Sequence, residues 1–171
     1  MLDMVTLNRS FSVRYSGWHV FRTEILFATF RYLQVKHDTE LPFLIEEGPD
    51  QGREDWQFQY RKFIPKTRDS FCNSLQPPYN NDAIDRFIRA CHSDFKVVNM
   101  MNRYGVGGIV PLCDKNDADG YYTPGNSMDI LSAMHLIHSY ITEEQLLGKC
   151  WDELTALFED SVATETNVEL C

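Results

Sequence analysis

The sequence predicts a mainly α-helical protein built as one compact domain, and three stretches of helical periodicity lead to that prediction. Residues 82–102, 128–140 and 143–162 each place apolar side chains at steps of three and four. Hydrophobic residues make up 43% of the 171-residue chain, which is enough to build a core. We therefore expect about five to six helices in a single globular domain over 1–162, followed by a loose tail at 163–171.

The first third of the chain gives a weaker periodic signal. Residues 18–36 contain no Gly or Pro and suit a largely buried helix, although their β-branched and aromatic content also fits a strand. Residues 11–15 and 56–60 alternate as short strands do, and the second run fits a helix as well. We favour a helix at 56–60, with Pro65 opening another one. A small β element within the first 65 residues remains an alternative.

Residues 104–126 form the longest segment without periodicity, and their second half is acidic. Placing Gly120 at the sixth position of an EF-hand loop puts Lys115 at the first position and Asn126 at the twelfth. A calcium loop needs an aspartate and a bidentate glutamate there. The preceding run 109–112 does not predict an incoming helix either. The sequence therefore predicts a long irregular loop, a kind of segment that is usually functional or mobile, and not an EF-hand.

Two residue pairs are candidate metal ligands. Asp117 and Asp119 offer carboxylates for a calcium site of another kind, and ordinary turn chemistry is the competing interpretation. His135 and His138 lie three residues apart on a predicted helix, but no zinc-binding spacing such as HExxH accompanies them. Histidines beside a core seam are more often structural. We therefore expect no cofactor.

The glycines of GVGG at 105–108 suggest a phosphate cradle at first sight. Phosphate-binding loops need a strand before the glycines and a helix directly after them. Here the glycines follow a predicted helix and lead into IVPLC. A helix C-cap at Gly105 explains the pattern better.

The chain is expected to lie in the cytoplasm. Its first residues lack a basic region followed by an apolar core, so a secretory signal is not predicted. No segment approaches the roughly 18 apolar residues of a membrane span. The five cysteines include no CxxC pair, which favours reduced thiols over a disulfide framework.

The formal charge is divided unevenly along the chain. Residues 1–100 hold 13 basic and 13 acidic residues, whereas residues 101–171 hold 3 basic and 12 acidic ones, so 3 − 12 = −9. Clustered phosphate contacts need Lys and Arg, so direct nucleic-acid binding by the second half is disfavoured. A basic protein partner is favoured, because complementary fields speed and orient encounter.

The acidic half also supplies the candidate contact residues. Carboxylates would capture the partner, and aromatic side chains would be the buried anchors that interface hot spots usually contain. The predicted partner-binding residues are Asp114, Asp117, Asp119, Tyr121, Tyr122, Glu143, Glu144, Asp152 and Glu153. Trp151 is a further candidate anchor.

These observations favour a small acidic binding protein that neutralises a basic partner such as a toxin or a nuclease. Immunity proteins and nucleic-acid-mimicking inhibitors share this size and charge. The analogy is limited to these two properties and includes no shared sequence motif. Two alternatives stay open. One is a metal-dependent or acid–base hydrolase that uses the 104–126 loop and the His135/His138 helix. The other is a subunit of a larger assembly, with residues 18–36 as its interface.

Overall fold

The computed structural model describes residues 1–39, 79–115, 120–141 and 144–171. In these ranges the chain forms six α-helices and one four-stranded sheet, so the mainly α prediction is confirmed. The strands are β1 (Leu2–Val5), β2 (Ser10–Val13), β3 (Gly120–Tyr122) and β4 (Val168–Leu170). The helices are α1 (Tyr15–Arg31), α2 (Tyr79–Ser93), α3 (Phe95–Arg103), α4 (Ile109–Asp114), α5 (Pro124–Ile137) and α6 (Glu144–Thr164).

The sheet is antiparallel throughout, with the strand order β2-β1-β4-β3. Its alternating pattern points one face into the core and the other to solvent. The core face carries Leu2, Met4, Phe11, Tyr122, Val168 and Leu170, each at most 6% exposed. The predicted strand at 11–15 corresponds to β2, one residue earlier at its start. The strand or helix at 56–60 and the helix opened by Pro65 lie outside the described residues.

The last residues of the sequence are an integral part of this sheet. Helix α6 continues to Thr164, and β4 then enters as an inner strand between β1 and β3. Next to this pairing, Asp3 and Cys171 exchange two backbone hydrogen bonds of 3.1 and 2.8 Å. The prediction of a loose tail at 163–171 is therefore wrong. A three-residue strand is too short to show a period of two, so β4 has no periodic signal in the sequence.

Helix α1 runs through the middle of the core. Trp18, Phe21, Ile25, Leu26 and Phe30 are each at most 2% exposed, and the helix continues as a π-helical turn over Tyr32–Lys36. The prediction of a buried helix within 18–36 is confirmed. Because the protein itself covers these side chains, they do not offer the subunit interface that was one of the alternatives.

Two arginines of α1 are buried, and both donate hydrogen bonds to carbonyl groups that end other helical segments. Arg22 Nη1 donates to the carbonyls of Cys113 and Lys115, at 3.1 and 2.7 Å. Arg31 donates to the carbonyl of Tyr140, which ends a 3₁₀ turn after α5, and forms an ion pair with Glu24 at 3.2 Å. Carbonyls at helix ends lack intrahelical partners and carry partial negative charge, so they suit a buried cation.

The predicted helix over 82–102 is two helices in the structure. Asp94 between them has an extended backbone (φ −136°, ψ 103°), and its carboxylate accepts a hydrogen bond of 2.9 Å from the Lys96 amide. Asp94 thus caps the start of α3. The apolar periodicity of 82–102 continues across this break in the helix.

Helix α3 ends at the predicted glycine cap. Gly105 has a φ of +78°, and its amide donates to the carbonyl of Asn102 at 3.1 Å. The amide of the buried Val106 donates to the carbonyl of Met101 at 2.9 Å. These two bonds form a Schellman motif, and the prediction of a C-cap at Gly105 is confirmed.

The segment 104–126 is more regular than predicted. It contains α4 and β3, and α4 occupies the run 109–112 that the sequence assigned to irregular structure. Pro111 is the third residue of α4, where its missing amide costs no intrahelical bond. A Cβ atom at Gly108 would lie 2.2 Å from the Asp129 carbonyl oxygen, so α4 begins directly against the backbone of α5. Lys115 at the first ligand position still argues against an EF-hand. The lack of a preceding helix no longer does, because α4 precedes this segment.

Helices α5 and α6 pack against each other as an antiparallel pair. The Ser127 hydroxyl donates to the Ser161 hydroxyl at 2.9 Å near one end of the pair, and His138 contacts Trp151 near the other. Helix α5 begins four residues before the predicted start. There Thr123 accepts a hydrogen bond from the Asn126 amide at 3.1 Å, in a capping box whose third position is Asn and not the more recognisable Glu or Gln.

Candidate functional site

The surface between α5 and α6 contains a groove of about 490 Å³. Both apolar and polar side chains line it. The lining residues are Leu131, Met134, His135, His138 and Ser139 of α5 and the turn that follows it, together with Trp151, Thr155 and Glu159 of α6. We call this feature the α5–α6 groove.

Helical spacing explains why these residues share one surface. Leu131, His135 and His138 follow steps of four and three along α5, and Trp151, Thr155 and Glu159 follow steps of four along α6. Side chains at such steps lie on the same face of a helix. The antiparallel arrangement of the two helices then brings the two faces together along the groove.

One end of the groove is aromatic. The imidazole ring of His138 and the indole ring of Trp151 lie with their centroids 5.0 Å apart and their planes inclined by 53°. Trp151 is half-buried, so one part of the indole belongs to the core while the rest lines the groove. An amphipathic aromatic side chain in this position is typical of contact anchors.

The other end of the groove is acidic. Glu159 is exposed there, about 12 Å from Trp151 along the helix axis, since a helix rises about 1.5 Å per residue. It forms no ion pair with any residue that the structure describes. The Thr155 hydroxyl oxygen lies between the two ends, inaccessible to solvent and without a hydrogen-bond partner in the described part of the chain.

The neighbouring carboxylate, Asp160, is used for structure. It accepts hydrogen bonds of 2.6 Å from the Thr6 hydroxyl, 3.0 Å from the Asn8 side-chain amide and 3.2 Å from the Asn8 backbone amide. The Thr6 hydrogen bond is the main reason why the pKa of Asp160 lies below its ordinary value. Asp160 thus ties α6 to the β1–β2 turn, whereas Glu159 faces the groove.

The two predicted metal-ligating histidines lie in the same groove. His135 and His138 both line it, but within the described ranges no group of three or more His, Cys, Asp or Glu side chains is placed to hold a metal ion. Asp117 and Asp119 lie outside the described residues, so the calcium-site candidate stays a prediction.

The predicted contact residues that the structure describes belong to three elements, α4, β3 and α6. Asp114 is exposed at the end of α4, where its carboxylate lies 3.3 Å from Nε2 of His92. Asp152 and Glu153 are exposed on α6, and Glu144 begins that helix. Asp117, Asp119 and Glu143 lie outside the described residues.

Tyr121 and Tyr122 of β3 point to opposite faces of the strand. Tyr121 is 49% exposed, whereas Tyr122 is fully buried against Phe158, with ring centroids 5.6 Å apart. Burial raises the pKa of the Tyr122 hydroxyl. Tyr122 is therefore not a surface anchor, which corrects the prediction. Successive residues of a strand point to opposite faces, and the sequence showed a loop here where the structure has β3.

Cys91, Cys113 and Cys171 are free thiols. Cys91 and Cys113 are buried, and burial raises the pKa of each thiol to about 12. Both therefore stay neutral at physiological pH and are poor nucleophiles. Cys72 lies outside the described residues.

Sequence reasoning missed five of the eight described lining residues as parts of one site, namely Leu131, Met134, Ser139, Thr155 and Glu159. A search for side chains at steps of four along the two helix faces would have grouped them, but it would not have shown that the faces enclose a groove. Comparison of the chain with protein-family models, with curated proteins and with solved structures found no match. Among the residues that the structure describes, no helix is both long and apolar enough to cross a membrane.

Proposed function

We propose that this protein binds a basic protein partner through the acidic half of the chain, residues 101–171, and neutralises that partner. The observation that carries the proposal is the exposure of its carboxylates. Seven acidic side chains described in this half are exposed, namely Asp114, Asp129, Asp152, Glu153, Glu159, Glu165 and Glu169. Three cations of this half oppose the field of these carboxylates, namely Arg103, Lys149 and the half-buried Lys115.

The arrangement suits capture from solution. Exposed charges of one sign attract an oppositely charged protein over about a Debye length, which is about 8 Å at physiological ionic strength. Because exposed ion pairs contribute little affinity individually, contact anchors must add to them. Tyr121 is 49% exposed, Met128 is 55% exposed, and Trp151 lines the α5–α6 groove. These three side chains are the proposed anchors.

The hydrolase alternative needs acidic groups of the 104–126 segment to meet the two histidines of α5. Asp114, the described member of that acidic set, pairs with His92 and is not among the residues that line the α5–α6 groove. No observation therefore favours this second function over binding.

A charge-matched pair of double variants tests the proposal. Asp152→Asn with Glu159→Gln removes two exposed carboxylates from α6, and Asp38→Asn with Asp85→Asn removes two exposed carboxylates from the neutral half. The probe is a fluorescein-labelled peptide of alternating Arg and Gly, and the measurement is its anisotropy on titration with protein at low salt.

We expect the α6 variant to lose about fivefold or more in affinity and the control less than about twofold, since field strength depends on where the charge lies. Raising the salt to about 0.15 M should weaken wild-type binding further. Absence of wild-type binding at low salt, or an equal loss in both variants, would overturn the proposal.

A further inference from the structure

We infer that the α5–α6 groove receives one arginine side chain of the basic partner, with its apolar stem across Leu131 and Met134 and its guanidinium at Glu159. This inference rests on the proposed function and names the part of the partner that the groove recognises. It is argued from the shape of the groove, from its charge and from its hydrogen-bonding groups.

The shape suits a long side chain with an apolar stem. The groove extends about 12 Å along α6, from Trp151 to Glu159, by the helical rise. Leu131 and Met134 supply apolar surface to its lining. Arginine and lysine pack their methylene stems along such surfaces and keep the charged head at the polar rim.

The charge pattern selects a cation. Among the lining residues that the structure describes, Glu159 is the one carboxylate, and none is a lysine or an arginine. Glu159 has no ion-pair partner among the described residues, so it is available to a charge from outside. An anionic ligand would be repelled by the Glu159 carboxylate. A purely apolar ligand would cover this carboxylate without giving it a partner, and burying an unpaired charge costs free energy.

The hydrogen-bonding groups favour arginine over lysine. The guanidinium offers five donors in one plane and binds a carboxylate with two parallel hydrogen bonds, which a compact ammonium group does not. The indole of Trp151 then packs against the start of the stem or the partner backbone.

Nuclear magnetic resonance titrations with small blocked amino acids test the inference. The probes are N-acetyl-arginine amide, N-acetyl-lysine amide and N-acetyl-citrulline amide, the last of which has the shape of arginine without its charge. The signals followed are the indole N–H of Trp151 and the imidazole C–H groups of His135 and His138, which report on the groove. Methylguanidine, which has the head group but no stem, is titrated in parallel.

The variants are Glu159→Gln and, as the matched control, Asp152→Asn. Both residues are exposed acids of α6, but only Glu159 lines the groove. We expect Glu159→Gln to weaken arginine-amide binding about tenfold or more, the size of a charge-assisted hydrogen bond, and Asp152→Asn to change it less than about twofold. Circular dichroism confirms that each variant is folded.

The outcomes separate this inference from the proposed function. Equal effects of the two variants, or binding of the citrulline probe as tight as that of arginine, would overturn the groove inference while the Arg-Gly peptide still binds. Methylguanidine binding as tightly as the arginine probe would show that a small guanidinium compound is the ligand, and would also overturn it. Failure of the wild-type protein to bind the Arg-Gly peptide would instead overturn the proposed function.

Discussion

Replacing Leu170 by alanine tests whether β4 is part of the core. Leu170 is 6% exposed and lies on an inner strand, opposite Met4 of β1 and Gly120 of β3. A buried leucine truncated to alanine loses about 2–5 kcal/mol of stability, from lost transfer free energy and from the cavity left behind. Because strands hold β4 on both sides, we expect little collapse into that cavity and a cost of about 3 kcal/mol.

Urea denaturation followed by circular dichroism measures this cost. With a slope of about 2 kcal/mol per molar urea, a loss of 3 kcal/mol lowers the midpoint by about 1.5 M. The control is Glu169→Ala, the neighbouring residue on the exposed face of the same strand, which should change stability by no more than about 0.5 kcal/mol. If Leu170→Ala unfolds at the same urea concentration as Glu169→Ala, the described packing of β4 is refuted.

Three further predictions follow from other described contacts. Arg31→Met removes the guanidinium from the buried Glu24 carboxylate and from the Tyr140 carbonyl, and should cost about 3–5 kcal/mol in urea titrations; a loss below about 1 kcal/mol would contradict the buried pair. Thr123→Ala removes the capping box of α5 and should cost about 1 kcal/mol, against about 0.5 or less for Ser132→Ala on the exposed face of the helix. Burial raises the pKa of Cys113 from 9.0 to about 12, so the stability from its neutral thiol is present below about pH 9 and is lost as the pH rises toward 12. Urea midpoints between pH 8 and 11 should therefore fall less steeply in Cys113→Ala than in the wild type, and parallel slopes would contradict this.

Long amphipathic or wholly apolar segments were predictable from the sequence, because their own periodicity specifies a helix. The apolar run 18–36 predicted α1, and the steps of three and four in 143–162 predicted α6. The glycine after α3 was predictable as well, since an αL cap needs a residue without a side chain. The residues within each segment were sufficient to predict these two helices and this cap.

The short strands and the groove were not predictable in this way. The strands β3 and β4 are three residues each, and their pairing partners lie far away in the sequence. The burial of Tyr122 depends on that pairing, so its sequence neighbour Tyr121 gave no indication of it. The α5–α6 groove depends on the relative rotation of two helices, which the periodicity of either one leaves undetermined.

The pairing of the two inner strands has a consequence for folding kinetics. Met4 of β1 pairs with Leu170 of β4, so 170 − 4 = 166 positions separate them. Contacts of such high order form slowly, because the entropy of closing a long loop is lost before the contact stabilises anything. We expect the helices and the local β1–β2 hairpin to form early, leaving one edge of β1 unpaired until β4 arrives. During that interval the edge is open to intermolecular strand pairing, so refolding yield should fall as protein concentration rises.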